Sequence, residues 1–127
     1  MSKAKVITLS KIVDLGAKKI RKFISSDKQL EINYMTISGR HPENPDYFVY
    51  EIDVHFMVYI LKGSGKIYCD DDVFDVFPGD IIDVPTKVRF ATEGKNFEYL
   101  TFGYPAWYPE QAFMVDRRGN IIEKTNI

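Results

Sequence analysis

The chain has 127 residues, enough for one domain with a single hydrophobic core. Hydrophobic residues make up 45% and charged residues 28%, a balance typical of globular rather than disordered proteins. The formal net charge of −1 provides no field for nucleic acid or an anionic membrane, so neither is expected as a partner. With one cysteine, Cys69, no internal disulfide, no membrane-spanning stretch and no signal-peptide pattern, we expect a cytoplasmic protein.

Helical patterning is confined to one segment near the amino terminus. In "SKIVDLGAKKI", residues 10–20, Ser10 could cap a helix, although Gly16 disfavours one. The basic run "KKIRK", residues 18–22, overlaps the end of this segment and is interrupted by Ile20. We expect this run to form the solvated face of a strand rather than a nucleic-acid site.

From residue 30 onward, short strand patterns alternate with turn signals about every 8 to 12 residues. In the first of them, Leu30 and Ile32 alternate with Glu31 and Asn33, so one side should be buried. The predicted strands are 30–38, 47–54, 55–61, 66–69, 73–77, 81–84, 87–92, 97–104, 113–116 and 120–122, with turns at 62–65 ("KGSG") and 93–96 ("EGKN") and a loop at 39–46. About ten short strands in one domain predict an all-β jelly roll.

The segments around Gly63, Gly79 and Pro85 resemble the two motifs of the cupin family. Those motifs are G-x5-H-x-H-x4-E-x6-G and G-x5-P-x-G-x2-H-x3-N; "ILKGSG" matches the end of the first and "PGDIIDVP" the start of the second. The resemblance covers about residues 30–115 of the single domain 1–127. It implies a cupin-like double-stranded β-helix of antiparallel strands, and, because cupins commonly pair, a homodimer.

The sequence departs from this family pattern at the metal ligands. The first motif's spacing places Val49 and Glu51 at the two histidine positions and Phe56 at the glutamate position. The second motif's spacing places Phe90 at the final histidine position. A catalytic metal needs about three converging His, carboxylate or thiolate ligands, and phenylalanine supplies none. We therefore predict no metal and no other cofactor.

These replacements predict an apolar, aromatic pocket. Strand alternation directs Phe56 and Phe90 inward, where they would line it. Glu51 and Arg89 are candidates for polar contacts, and Trp107 in "YPAWYPE" for a position near the mouth. The leading hypothesis is a metal-independent protein that binds a small organic molecule, such as a carbohydrate or a derivative, in this pocket.

Two alternatives stay open. His55 and His41 are candidate catalytic residues of an enzyme of the sugar isomerase or epimerase type, with histidine as base and tyrosine as acid, or with a displaced metal site. Glu51, Asp53 and His55 recur with a period of two, but a bend at this point in the family separates such positions. The other alternative is a structural protein whose pocket has collapsed around its two phenylalanines. The sequence does not decide whether a reaction is catalysed.

Overall fold

The computed structural model describes residues 4–124, and β-strands account for most of them. The strands are β1 (Lys11–Asp14), β2 (Lys18–Ile24), β3 (Glu31–His41), β4 (Tyr47–Glu51), β5 (His55–Cys69), β6 (Asp72–Val76), β7 (Ile81–Val84), β8 (Arg89–Tyr104), β9 (Ala112–Asp116) and β10 (Ile121–Lys124). One 3₁₀ helix, Pro109–Gln111, precedes β9. No helix in this part of the chain is long and apolar enough to cross a membrane.

All strand pairs are antiparallel, and β8 is the strand that connects them. It pairs with β3 on one side, with β5 along most of its length on the other, and with β4 through its first two residues. The sheet order is β1-β2-β3-β8-β4-β9-β10, with β6 and β7 attached to β5. The all-β jelly-roll fold predicted from the sequence is confirmed.

The core lies inside the curled sheet because the long strands alternate apolar and exposed residues. In β5, Phe56, Val58 and Ile60 are buried, whereas Met57 and Tyr59 between them are exposed. Phe97 and Tyr99 of β8 continue the same interior surface and are fully buried. This alternation fixes which residues can reach the interior, including the polar ones described below.

The helical pattern of residues 10–20 does not produce a helix. Strands β1 and β2 make a hairpin instead, and Gly16 occupies its turn with a φ of +82°. A left-handed φ is readily adopted by glycine, so the residue that disfavoured the helix supplies the turn. The hairpin pairs with β3 through β2, which contains the basic run expected on a strand, whereas the strand β1 was not predicted.

The turns predicted at 62–65 and 93–96 are also wrong. Strands β5 and β8 run straight through these segments, paired with each other, with Gly65 opposite Gly94. The register shifts between Ile60 and Ser64 show that the glycines accommodate bulges in continuous strands. The predicted total of ten strands agrees with the structure, but the individual strands differ. Predicted strands 55–61 and 66–69 form the single strand β5, and predicted strands 87–92 and 97–104 form β8. Strands β1 and β2 bring the total back to ten.

We expect Gly63→Ala to destabilise the fold much more than Gly119→Ala. Both glycines have a positive φ, +73° and +82°, so alanine is strained at either. Only at Gly63 would the added Cβ lie 2.3 Å from the backbone oxygen of Asn96, across the β5–β8 pair. Urea unfolding should show a loss of about 1 kcal/mol for Gly119→Ala and about 3 kcal/mol or more for Gly63→Ala. Equal losses would contradict this packing.

Candidate active site

A cavity of about 70 Å³ opens into the interior of the barrel, between β2, β3, β4, β8 and the start of β5. Its apolar side includes Ile20, Met35, Val54, Phe56, Phe90 and Trp107. Its polar side includes Lys18, Lys22, Glu31, Asn33, His41 and Glu51. Four charged side chains thus share one small interior space. Buried charges are uncommon without a compensating arrangement of partners.

Strand β2 supplies the two lysines, which contradicts the expectation that its basic run is solvated. Lys18 is only 7% exposed, and Lys18, Ile20 and Lys22 all line the cavity, while Lys19 and Arg21 point away from it. The two-residue alternation gives the reason: burying Ile20 carries the residues two positions before and after it to the same face. The isoleucine that interrupts the run was the signal for this placement.

Strand β3 supplies Glu31 and Asn33, again with the polar face inward. Glu31 is 2% exposed, whereas Leu30 and Ile32 are exposed. At this end of the strand the polar side chains face the interior and the apolar ones face outward. The Lys22 ammonium donates to Glu31 Oε1 at 3.0 Å, and Asn33 Nδ2 donates to the same oxygen at 2.6 Å. The sequence contained no local indication that Glu31 and Asn33 face the interior, because alternation alone does not identify which face of a strand is buried.

Glu51 lies at the end of β4, where Gln111 holds its carboxyl group. Gln111 Nε2 donates to Glu51 Oε1 at 3.1 Å, and Gln111 Oε1 accepts from the backbone N–H groups of Asp53 and Val54 at 3.3 and 3.2 Å. These two backbone donors fix the orientation of the amide, so its N–H faces the carboxyl group. Burial raises the pKa of Glu51 to about 7, although the Gln111 hydrogen bond and Lys18 act against the shift. This carboxyl group can therefore exchange a proton near neutral pH.

His41, at the end of β3, lines the same cavity as a neutral imidazole. Its pKa is lowered to about 3, mainly by burial and in addition by the positive charges of Lys18 and Arg40. At neutral pH the ring can donate one hydrogen bond and accept another. The cavity thus combines a titrating carboxyl group, a neutral imidazole and two ammonium groups.

Five of the residues proposed from the sequence meet at this cavity. They are His41, Glu51, Phe56, Phe90 and Trp107. The Phe56 and Phe90 rings pack edge to face with their centroids 5.0 Å apart, and the Lys22 ammonium lies 5.4 Å from the centroid of the Trp107 ring. The aromatic half of the cavity therefore corresponds to the predicted pocket, and its polar half was missed apart from His41 and Glu51.

Arg89 and His55 lie elsewhere. The Arg89 guanidinium contacts Asp70 Oδ1 and Asp71 Oδ1, each at 3.3 Å, at the β5–β6 hairpin.

The His55 ring is exposed on the outer face of β5 and lies 2.5 Å from Asp83 Oδ1 of β7. The chain bends between β4 and β5, so the period-two series from Glu51 to His55 does not share one face. Neither Arg89 nor His55 lines the cavity.

The donor set of the cavity does not fit a metal ion. Within residues 4–124, no three side chains of His, Cys, Asp or Glu are placed to share one ion. Lys22 engages Glu31, and Phe56 and Phe90 fill space at two of the positions where the cupin motifs carry ligands.

Solved structures with the same fold support the cupin assignment. A variant of Streptomyces Pac13 with uridine superposes with a TM-score of 0.76 at 17% identity, covering 91% of this chain and 93% of that one. Pac13 is described as a nucleoside dehydratase. Ectoine synthase from P. lautus gives a TM-score of 0.66 at 12% identity, covering 82% and 80%, and KdgF from Halomonas gives 0.62 at 10%, covering 76% and 89%. No family model matches the sequence, and no curated protein matches it significantly. The chain thus has the cupin fold.

Glu51 and His41 should give the stability of the fold opposite pH dependences. Above pH 4.5 the unfolded Glu51 loses its proton while the folded one keeps it up to about pH 7, so stability falls as pH rises in that window. Below pH 6.5 His41 gains a proton in the unfolded chain, whereas in the folded chain it stays neutral down to about pH 3. The stability of the fold therefore rises with pH between about 3 and 6.5. Between pH 4.5 and 6.5 the two slopes, each about 1.4 kcal/mol per pH unit at most, oppose each other.

Urea unfolding of two variants separates these slopes. Relative to the unaltered chain, Glu51→Gln should become progressively more stable as pH rises through the window, because only the His41 slope is left. His41→Gln should become progressively less stable over the same range. Parallel profiles for the two variants would show that these groups do not titrate as their burial requires.

Proposed function

We propose that this cavity is the active site of a metal-independent acid–base enzyme that acts on a small hydroxylated organic molecule by isomerisation or by elimination of water. The observation that carries the proposal is the Glu51 carboxyl group, whose pKa burial raises to about 7 inside a cavity shared with Lys18 and Lys22. A carboxyl group of this kind is present in both protonation states at neutral pH, which suits general acid–base catalysis.

The proposed chemistry uses each of these groups in turn. The Glu51 carboxylate removes a proton from a carbon next to a carbonyl group, and the electron pair moves onto the carbonyl oxygen. The ammonium groups of Lys18 and Lys22 stabilise the negative charge on that oxygen. For isomerisation, protonated Glu51 returns the proton to the former carbonyl carbon, while the hydroxyl proton on the adjacent carbon passes to the former carbonyl oxygen, so that the carbonyl group moves by one carbon. For elimination, the enolate re-forms the carbonyl group and a carbon–carbon double bond as the C–O bond at the β carbon breaks, and Glu51 gives its proton to the departing hydroxyl group, which leaves as water. His41 can donate a hydrogen bond without adding charge.

The two-sided lining supports a hydroxylated substrate with an apolar face. Phe90 and Trp107 offer aromatic surface opposite the charged groups, as small-molecule sites commonly combine apolar walls with a few polar groups. The uridine in a neighbouring structure of the same fold, and the dehydratase activity of Pac13, also support a substrate of this class.

The cavity is too small for a ring-sized substrate unless one of its walls moves. A volume of about 70 Å³ is smaller than the roughly 150 Å³ of an engineered cavity that binds benzene. A ring-sized substrate therefore requires displacement of a wall. Trp107 is the proposed mobile wall, because the same side chain also lines an outer depression next to Tyr108 and Ser25.

This proposal keeps the small-molecule pocket predicted from the sequence and adds a reaction to it. The histidine–tyrosine version of the enzyme hypothesis lacks support, because no tyrosine lines the cavity in the described part of the chain. His55 is not proposed as catalytic, since it is exposed on the outer face of β5. The homodimer and the cytoplasmic location stay predictions.

The proposal is tested by incubating the chain in D₂O with aldoses, ketoses and sugar acids and following carbon-bound deuterium and product by NMR. With any accepted substrate, kcat/KM should rise with pH through about 7 as Glu51 ionises. Glu51→Gln should lower the rate about 10²- to 10⁴-fold, because the variant cannot take up the proton.

Glu93→Gln is the matched control for this variant. Glu93 is a partly buried glutamate of β8 that accepts a hydrogen bond from Tyr68 Oη at 2.6 Å, and it does not line the cavity. Its replacement should leave the rate unchanged. Deuterium exchange that survives in Glu51→Gln, or no exchange and no product with any of these compounds, would overturn the proposed function.

A further inference from the structure

Two oxygen atoms in the wall of the cavity have no hydrogen-bond partner within the described residues. They are Glu31 Oε2 and Asn33 Oδ1. Glu31 is 2% and Asn33 7% exposed, and both line the cavity. A buried acceptor without a partner costs about 1–3 kcal/mol, and more when it carries charge. Two such atoms on neighbouring side chains call for a functional explanation.

The surrounding hydrogen bonds leave both atoms only as acceptors. Asn33 Nδ2 donates to Glu31 Oε1 at 2.6 Å and to Thr101 Oγ1 at 3.2 Å, which uses both of its N–H groups. The Lys22 ammonium donates to the same Glu31 oxygen at 3.0 Å. The orientation of the amide is thereby fixed, so Oδ1 is the oxygen that stays free. Because Glu31 and Asn33 alternate on β3, their free oxygens belong to one face.

A partner for these two atoms must bring two hydrogen-bond donors. A cationic donor such as an ammonium group is disfavoured, because the positive charges of Lys18 and Lys22 outweigh the Glu31 carboxylate whenever Glu51 is protonated. Neutral hydroxyl groups meet both conditions. The two free oxygens belong to side chains that are joined by the 2.6 Å hydrogen bond from Asn33 Nδ2 to Glu31 Oε1, so a partner that meets both must carry two donors close together, as adjacent carbon atoms with hydroxyl groups do.

We infer that Glu31 and Asn33 form a subsite that accepts hydrogen bonds from a vicinal diol of the substrate. This inference rests on the proposed function, in that it takes this cavity as the substrate site, and it narrows the substrate class to polyols that carry adjacent hydroxyl groups, as in a ribose ring. Lys22 and Thr101 act as positioning residues, because they hold the Glu31 and Asn33 side chains rather than the diol.

A site of this kind selects against deoxy compounds. When a substrate lacks a hydroxyl group that the site is built to receive, a buried acceptor stays unpaired in the complex. Removal of either hydroxyl group should therefore weaken binding about tenfold or more. Loss of the charged acceptor on Glu31 should weaken binding of the diol and reduce the difference between diol and deoxy compound.

The test is a binding titration of the full chain with two ribose-bearing probes and their deoxy analogues. Uridine is compared with 2′-deoxyuridine and 3′-deoxyuridine, and methyl β-D-ribofuranoside with its 2-deoxy form. Fluorescence of Trp107, the single tryptophan, and the NMR signals of the Asn33 side-chain amide report binding. We expect at least about tenfold weaker binding for each deoxy compound.

Glu31→Gln keeps the size of the side chain and should reduce diol affinity and diol preference together, whereas Glu93→Gln should change neither. Equal affinities for diol and deoxy compounds in the unaltered chain, or no saturable binding of either ribose-bearing probe, would overturn the inference. The comparison of diol and deoxy affinities in the unaltered chain tests the inference even if Glu31→Gln fails to fold.

The same experiment distinguishes the subsite from the reaction. Glu51→Gln should bind uridine with the same preference for the diol, because the carboxyl group of Glu51 is not part of the subsite. Diol preference without deuterium exchange would refute the proposed reaction and leave the subsite standing. Deuterium exchange without diol preference would refute the subsite alone.

Discussion

The ion pair of Lys22 and Glu31, inside the barrel and 3.0 Å long, is the contact on which the polar half of the cavity depends. The Glu31 side chain is 1% exposed, so without Lys22 and the Asn33 amide it would be a buried charge lacking compensation. The pair orders Glu31 and Asn33 and places a second ammonium group near Glu51. Such a pair is weak evidence for stability, since well-packed apolar residues often stabilise a core as much or more. Its presence is better explained by the cavity that it organises.

The apolar half of the barrel has the complementary role. Phe56 and Phe90 pack edge to face, and Phe90 pairs across the sheet with Val49 of β4. In the motif spacing of the resemblance, these phenylalanines occupy positions at which cupins carry metal ligands. One side of the interior thus has aromatic packing, while charged side chains gather on the other. Low polarity on the aromatic side contributes to the burial that raises the pKa of Glu51.

The sequence predicted the fold class and the aromatic half of the cavity, because both follow from local alternation and from the motif positions of Gly63 and Pro85. It did not predict the inward placement of Lys18 and Glu31. Charged residues on a strand ordinarily face solvent, and only the pairing of β2 and β3 with the rest of the barrel shows which face is enclosed. The predicted turns at 62–65 and 93–96 failed for a related reason: glycine permits both a chain reversal and a bulge, and the long-range β5–β8 pairing selects the bulge.

The account depends most directly on a Glu51 carboxyl group that titrates near neutral pH within the folded barrel. The measurement that tests it is a ¹³C NMR titration of the glutamate side-chain carboxyl carbons, with the Glu51 signal assigned by its absence in Glu51→Gln. We predict a midpoint near 7 for this signal. A midpoint near the ordinary value of 4.5 would contradict the account, because the carboxyl group would then be ionised throughout the neutral range and the expected rise of kcat/KM near pH 7 would have no source.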